Sequence, residues 1–265
     1  MAPEPLPTPS DPPVLTFEHP LGAVGYTDEG DGAPIVLVHG LPGSHRDWRY
    51  LAACLPDFRV IRLDMPGFGD SQGCDAAPSF EQRAEVIVDA VTSLGLSRPL
   101  VMGHSMGGPV VAMAANRAPE RFAGIGLLAS PGLRRHRRAP DTRASVVARL
   151  VAMPLGSWAL RRPLARVYRA AGFPASLSHA SRVAALRQVV MYRPHAVAQT
   201  MRELTLPTLI AYAADDDLVE AAIGDELANV CPDGPRLRFA TGGHNLQKMK
   251  CREIAEAIRA WPIWT

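Results

Sequence analysis

Three positions in this chain have the residue types and the order needed for acyl transfer: Ser105, an aspartate of Asp215-Asp216-Asp217, and His244. A serine hydroxyl is a weak nucleophile until it is held clear of its neighbours and loses its proton during attack. Ser105 lies in Gly103-His104-Ser105-Met106-Gly107-Gly108, directly after the apolar run Leu100-Val101-Met102. Glycines on either side of a serine allow the backbone to crowd into a sharp strand-to-helix turn, and the helix that follows aims N–H groups at developing negative charge. His244 sits in Gly242-Gly243-His244-Asn245, a loop free to swing the imidazole towards the serine. A carboxylate is then needed to hold the imidazole in one tautomer. The aspartate cluster follows the apolar run Leu209–Ala213, and composition alone leaves open which of the three serves.

Stabilising the oxyanion calls for backbone donors. His39-Gly40-Leu41-Pro42-Gly43, after the apolar run Ile35–Val38, can offer the N–H of Leu41, with the N–H of Met106 as the second donor. His39 reads as a loop-stabilising hydrogen bonder. Asp64-Met65-Pro66-Gly67-Phe68-Gly69-Asp70-Ser71 reads as a tight turn whose Asp64 satisfies backbone donors, with no catalytic role. The aspartates lack the spacing and glycine of a calcium loop. Cys54, Cys74, Cys231 and Cys251 are scattered and read as reduced thiols. No metal and no organic cofactor is expected.

These motifs must be positioned by a sheet. Strand-like runs at Val14–Phe17, Ala23–Thr27, Ile35–His39, Arg59–Leu63, Leu100–Gly103, Gly124–Ala129, Thr208–Ala213 and Arg236–Ala240 alternate with helix-like segments at His45–Cys54, Phe80–Leu94, Met106–Arg117, Val219–Val230 and Leu246–Ala260. The pattern predicts an α/β fold with eight mostly parallel strands flanked by helices, the first two strands pairing antiparallel at the edge. Every motif then falls at the carboxyl end of a strand, where such sheets bind ligands.

The alternation stops at residues 133–204. Amphipathic segments Val146–Met153, Trp158–Ala171 and Val183–Tyr192, cut by Pro154, Pro163, Pro174 and Pro194, predict a helical insertion that lids the sheet edge. It holds fourteen arginines against Asp141 and Glu203, a net +12, while the rest of the chain carries −10. The densest patch is Arg134-Arg135-His136-Arg137-Arg138. Such a surface is a solvated face, or it attracts an anionic substrate, an acidic partner or a membrane surface. No nucleic-acid recognition motif accompanies it, so nucleic-acid binding is not expected. The organisation expected is thus a proline-rich disordered leader over residues 1–13, a core of 14–132 and 205–265, and an arginine-rich cap over 133–204. The leader has no signal-peptide core, and no apolar run reaches the ~18 residues of a membrane span, so a cytoplasmic location is expected.

Taken together the five motifs, from Val14 to Trp264, resemble the α/β-hydrolase superfamily, in particular its serine esterase and lipase-like branch with a helical cap after strand 6. The resemblance implies a catalytic triad of Ser105, Asp216 and His244, an oxyanion hole of Leu41 and Met106, and a small-molecule substrate with an anionic or hydrophobic acyl part. It aligns Asp216 with the family's acid position, with Asp215 as the alternative, since Ala213 and Glu220 depart from the usual Gly-x-x-Asp-x-x-Val-Pro. Serine at 105 speaks against the dehalogenase and epoxide hydrolase branches, whose nucleophile is aspartate. Carboxylic ester hydrolysis is the activity implied. Carbon–carbon bond hydrolysis, perhydrolysis, cofactor-free oxygenation and non-hydrolytic ligand binding are the alternatives on the same fold. Trp48, Trp158, Phe173 and Tyr192 are the side chains expected to shape selectivity.

Overall fold

A computed structural model describes residues 6–71, 78–136, 153, 158–170, 175 and 177–264. Eight strands form one sheet: β1 (Leu15–Phe17), β2 (Val24–Glu29), β3 (Ala33–Val38), β4 (Phe58–Leu63), β5 (Leu100–His104), β6 (Gly124–Leu128), β7 (Thr208–Ala213) and β8 (Arg236–Phe239). Their order across the sheet is β1-β2-β4-β3-β5-β6-β7-β8. The edge strands β1 and β2 are antiparallel to each other, β2 is antiparallel to β4, and every pairing from β4 to β8 is parallel.

The central strands are apolar on both faces because both faces are covered. In β3, Val36 and Val38 enter one core with Val101, Ile125 and Ile210; Ile35 and Leu37 enter the other with Leu100, Met102 and Leu209. The first core is roofed by α2 (Phe80–Ser93) and α3 (Gly107–Arg117), the second by α1 (Arg49–Ala53) and the chain's last helices. The start of α2 is written in Ser79-x-x-Gln82: the serine Oγ accepts from Gln82 N at 3.2 Å and Gln82 Oε1 accepts from Ser79 N at 2.9 Å. These reciprocal bonds satisfy amides that the helix leaves without partners.

Between β6 and β7 the chain contributes α4 (Arg161–Ala170), α5 (His179–Met191) and α6 (Pro194–Arg202). Residues 1–5, Cys74, Arg137, Arg138, residues 146–152, Pro154, Phe173 and Pro174 lie outside the described residues. Pro194 opens α6 as expected. Pro163 lies in the first turn of α4, just past a turn at Leu160 that parts α4 from helical residues 158–159, so the segment is cut there as expected. These helices rest on the core: Gln188 Nε2 donates to the Pro78 carbonyl, and Asn116 Nδ2 donates to Thr200 O at 2.9 Å. Arg161, Arg162, Arg166 and Arg169 of α4 all face solvent.

After β7 come α7 (Ala221–Val230), then β8, α8 (Leu246–Met249) and α9 (Cys251–Ala260). The single last helix expected from the sequence is therefore two, parted at Lys250 (φ −127°, ψ 27°). The break lets Leu246 bury under the loop before it, while Cys251, Ile254 and Ile258 bury along the sheet. In the leader, residues 6–14 form no regular element, yet Ser10 O accepts from the buried Arg62 at 3.3 Å. Among the described residues no helix is long and apolar enough to cross a membrane.

Candidate active site

The turn after β5 forces Ser105 into the left-handed region, with φ +50°. A non-glycine residue there is strained by ~1–3 kcal/mol, and such strain persists only where the surroundings impose it. They do so here. Ser105 N donates to Leu128 O at 2.8 Å, fixing the turn to the end of β6, and Gly108 N donates back to Ser105 O at 2.9 Å. Gly103 and Gly107 are required by close approach. A Cβ at 103 would lie 2.4 Å from the Gly107 carbonyl, and one at 107 would lie 2.6 Å from Val38 O. The hydroxyl is thereby presented at the carboxyl edge of the sheet.

The loop after β8 brings His244 to it. His244 Nε2 lies 2.9 Å from Ser105 Oγ, and its Nδ1 lies 2.8 Å from Asp216 Oδ2. An ionised carboxylate only accepts, so Nδ1 carries the proton and Nε2 is left to accept from the serine. Asp216 Oδ1 accepts from Leu218 N at 2.8 Å and Val219 N at 3.0 Å, so both of its oxygens are engaged. Burial would raise the Asp216 carboxyl, but the hydrogen bond and charge of His244 and the two backbone donors outweigh it and hold it below its ordinary value.

Asp215, the alternative acid, points elsewhere. It accepts from Gly243 N at 2.8 Å and Gly242 N at 3.2 Å. Those two donors, Gly243 foremost, lower its carboxyl, and its role is to clamp the loop that carries His244. Asp217 is exposed. Neighbouring aspartates thus divide the work: one holds the ring and the other holds its backbone.

Sequence reasoning missed a second positioning residue. His104, beside the nucleophile, donates from Nε2 to the His244 carbonyl at 2.8 Å, and its ring lies 4.9 Å from the His244 ring. Burial, then the nearby His244, push its pKa down to about 3, so it stays neutral and keeps a fixed tautomer. Trp48, fully buried, packs its ring edgewise on His104 at 6.4 Å. Its contribution is therefore behind the site. Trp158 is 76% exposed and Tyr192 is buried.

The candidate oxyanion donors flank the serine. Neither Leu41 N nor Met106 N donates a hydrogen bond among the described residues, and Met106 heads α3. A Cβ on Gly40 would lie 3.0 Å from Ser105 Cβ, so the loop after β3 can come this close only with glycine there. His39 holds that loop: Nδ1 donates to Gly40 O at 2.6 Å and Nε2 accepts from Met65 N at 3.0 Å. Burial lowers its pKa to about 4. Asp64 satisfies His45 N, His45 Nδ1 and Asp70 N at 2.6–2.8 Å. His45, Asp64 and Asp70 bring ligand-type atoms within 4.8 Å of one another, but the carboxylate oxygens of Asp64 are already committed to these donors.

The chain's similarities agree with this architecture. The sequence profile of the alpha/beta hydrolase fold matches residues 33–158. Haloalkane dehalogenase 2 of Mycobacterium tuberculosis is 29% identical over 91% of this chain and 92% of its own length. The dihydrolipoyllysine-residue acetyltransferase component of an acetoin cleaving system from Pseudomonas putida is 37% identical over 38% of the chain, which spans only 28% of that relative. A crystal structure of an alpha/beta hydrolase fold protein from Burkholderia ambifaria superposes with a TM-score of 0.76 at 23% identity, over 95% of this chain and 98% of the other. With the β1-β2-β4-β3-β5-β6-β7-β8 sheet and the serine turn after β5, these similarities show that the chain has the alpha/beta hydrolase fold.

Proposed function

We propose that the chain is a serine hydrolase of carboxylic esters or closely related acyl bonds. The observation that carries this reading is the unbroken hydrogen-bonded line Asp216–His244–Ser105, at 2.8 and 2.9 Å, ending on a strained serine beside two unengaged amides. In the proposed reaction His244 Nε2 takes the Ser105 proton as Oγ attacks the carbonyl carbon. The N–H groups of Leu41 and Met106 donate to the resulting oxyanion. Asp216 keeps the proton on Nδ1 and stabilises the imidazolium. His244 returns its proton to the leaving alkoxide, and an ester on Ser105 remains. Water, deprotonated by His244, then attacks that ester, and collapse expels Ser105 Oγ, which recovers the proton.

The haloalkane dehalogenase likeness does not extend this far. That chemistry rests on an aspartate nucleophile, and here a serine stands on the turn. Among the described residues Asp216 is the carboxylate bonded to His244. The helices of residues 133–204 are read as a cap over the same edge, because Ser181 and Gln188 of α5 reach the loops after β4. The test is labelling with a fluorophosphonate probe, paired with hydrolysis of short and medium p-nitrophenyl esters. Wild type should label and turn over, and Ser105→Ala should lose both, with turnover falling at least ~10³-fold. Folded wild-type protein that neither labels nor turns over would overturn the assignment.

A further inference from the structure

A cleft of about 560 Å³ opens between the loops that follow β3 and β8. Its wall includes Pro42, the neighbour of Leu41, and Asn245, the neighbour of His244, and the first turn of α5 closes its far side at Ser178 and Ser181. The cleft thus borders the loop that carries Leu41 and the loop that carries His244.

The cleft's chemistry is cationic. Arg46, Arg49 and Lys248 line it against one carboxylate, Asp47. Arg46 already faces Asp11, 3.6 Å away. Arg49 and Lys248 make no ion pair with a described carboxylate and instead both lie over the ring of Tyr50, at 5.2 and 5.3 Å from its centroid. Cation–ring contacts of this kind are attractive and bring both charges to one aromatic side chain. Arg49 Nε is buried with no hydrogen-bond partner. A buried charged donor left unpaired is costly, and Arg49 Nε has no internal partner that a ligand would have to displace. Asp47 is spoken for, since its Oδ2 accepts from Ser44 N at 3.1 Å. Two free cations against one carboxylate leave room for one negative charge.

We infer that this cleft is a subsite for a substrate carboxylate, held by Arg49 and Lys248 beside Tyr50. The inference rests on the ester-hydrolase reading and deepens it: the preferred substrates are monoesters of short dicarboxylic acids. It places anion recognition on the core rim, away from the exposed arginines of α4.

The test compares mono-p-nitrophenyl glutarate with p-nitrophenyl butyrate. Wild type should favour the anionic ester in kcat/KM at least tenfold. Arg49→Gln/Lys248→Gln should cut that ratio at least tenfold, and Arg49→Lys/Lys248→Arg should largely keep it. A ratio near one in wild type, or one unchanged in the glutamine variant, overturns the inference. Because it is a ratio, lost folding cannot imitate the effect. Calorimetric titration with glutarate decides the subsite separately from turnover: saturable binding to wild type and none to the glutamine variant supports it, whereas no binding to wild type overturns it. If butyrate and glutarate esters both resist hydrolysis while glutarate binds, the ester reading fails and the anion site stands.

Discussion

The chain contains two histidine–aspartate pairs built alike. His244 Nδ1 meets Asp216 Oδ2 at 2.8 Å, and His45 Nδ1 meets Asp64 Oδ2 at 2.8 Å. Both carboxylates are buried, both sit just past a strand, and both are held below their ordinary pKa against the opposing effect of burial. The difference lies on the far side of each ring. His244 is 16% exposed and its Nε2 faces a serine; His45 is 2% exposed and its Nε2 is buried without a hydrogen bond. A carboxylate-bound imidazole is thus a structural unit that folding uses freely. It becomes a candidate base only where its second nitrogen meets a nucleophile within reach of substrate.

The comparison breaks if variants at the two pairs behave alike. The largest expected effect is at Asp216→Asn, which keeps the shape but lets Nδ1 lose its fixed proton: kcat on a p-nitrophenyl ester should fall ~10²–10⁴-fold, with thermal unfolding shifted by only a few degrees. Asp64→Ala should do the reverse. It leaves His45 N, the His45 ring and Asp70 N without their acceptor, so stability should drop by about 2–4 kcal/mol, read as a Tm lower by roughly 5–15 °C, while kcat per folded molecule stays within about tenfold.

Asp47, between these pairs, sharpens the role of partners. Burial raises it from 3.8 to about 6, because the Ser44 amide and nearby cations do not offset the lost hydration. Between about pH 4 and 6 the native state keeps a proton the unfolded chain has released, so this group makes stability fall as pH rises through that window. Asp47→Asn should therefore be neutral at pH 4 and stabilising by ~1–3 kcal/mol at pH 7 in urea unfolding. The smallest effect is expected at Asp215→Asn, where one oxygen still accepts from the loop: kcat should fall about two- to fivefold, with KM little changed.

Much of the fold was legible because its signals are local. Apolar runs of strand length, the capping serine of α2 and the glycines around Ser105 each act within a few residues. The site's principal residues were legible for the same reason: each ends its own strand. What escaped the sequence was long-range. The choice between Asp215 and Asp216 depends on which carboxylate faces a ring 28 residues away. The His104 hydrogen bond spans 140 residues. The free cations of Arg49 and Lys248 are ordinary surface residues until α8 is folded against α1. In the arginine-rich segment Pro163 and Pro194 each stand in the first turn of a helix, at the cuts the prolines announce.

The tether from His104 has a consequence for how heat acts on this molecule. The His244 loop is fastened by five hydrogen bonds, two to Asp215, one to Asp216, one from Ser105 and one from His104. Their anchors sit at the ends of β7 and β5, two strands separated only by β6. Fraying of the loop alone would have to break all five together, so its opening is coupled to loosening of the sheet's centre. Amide exchange at Gly242 and Gly243 should then approach the slow exchange of the central strands, and activity should be lost on heating together with global unfolding instead of well ahead of it.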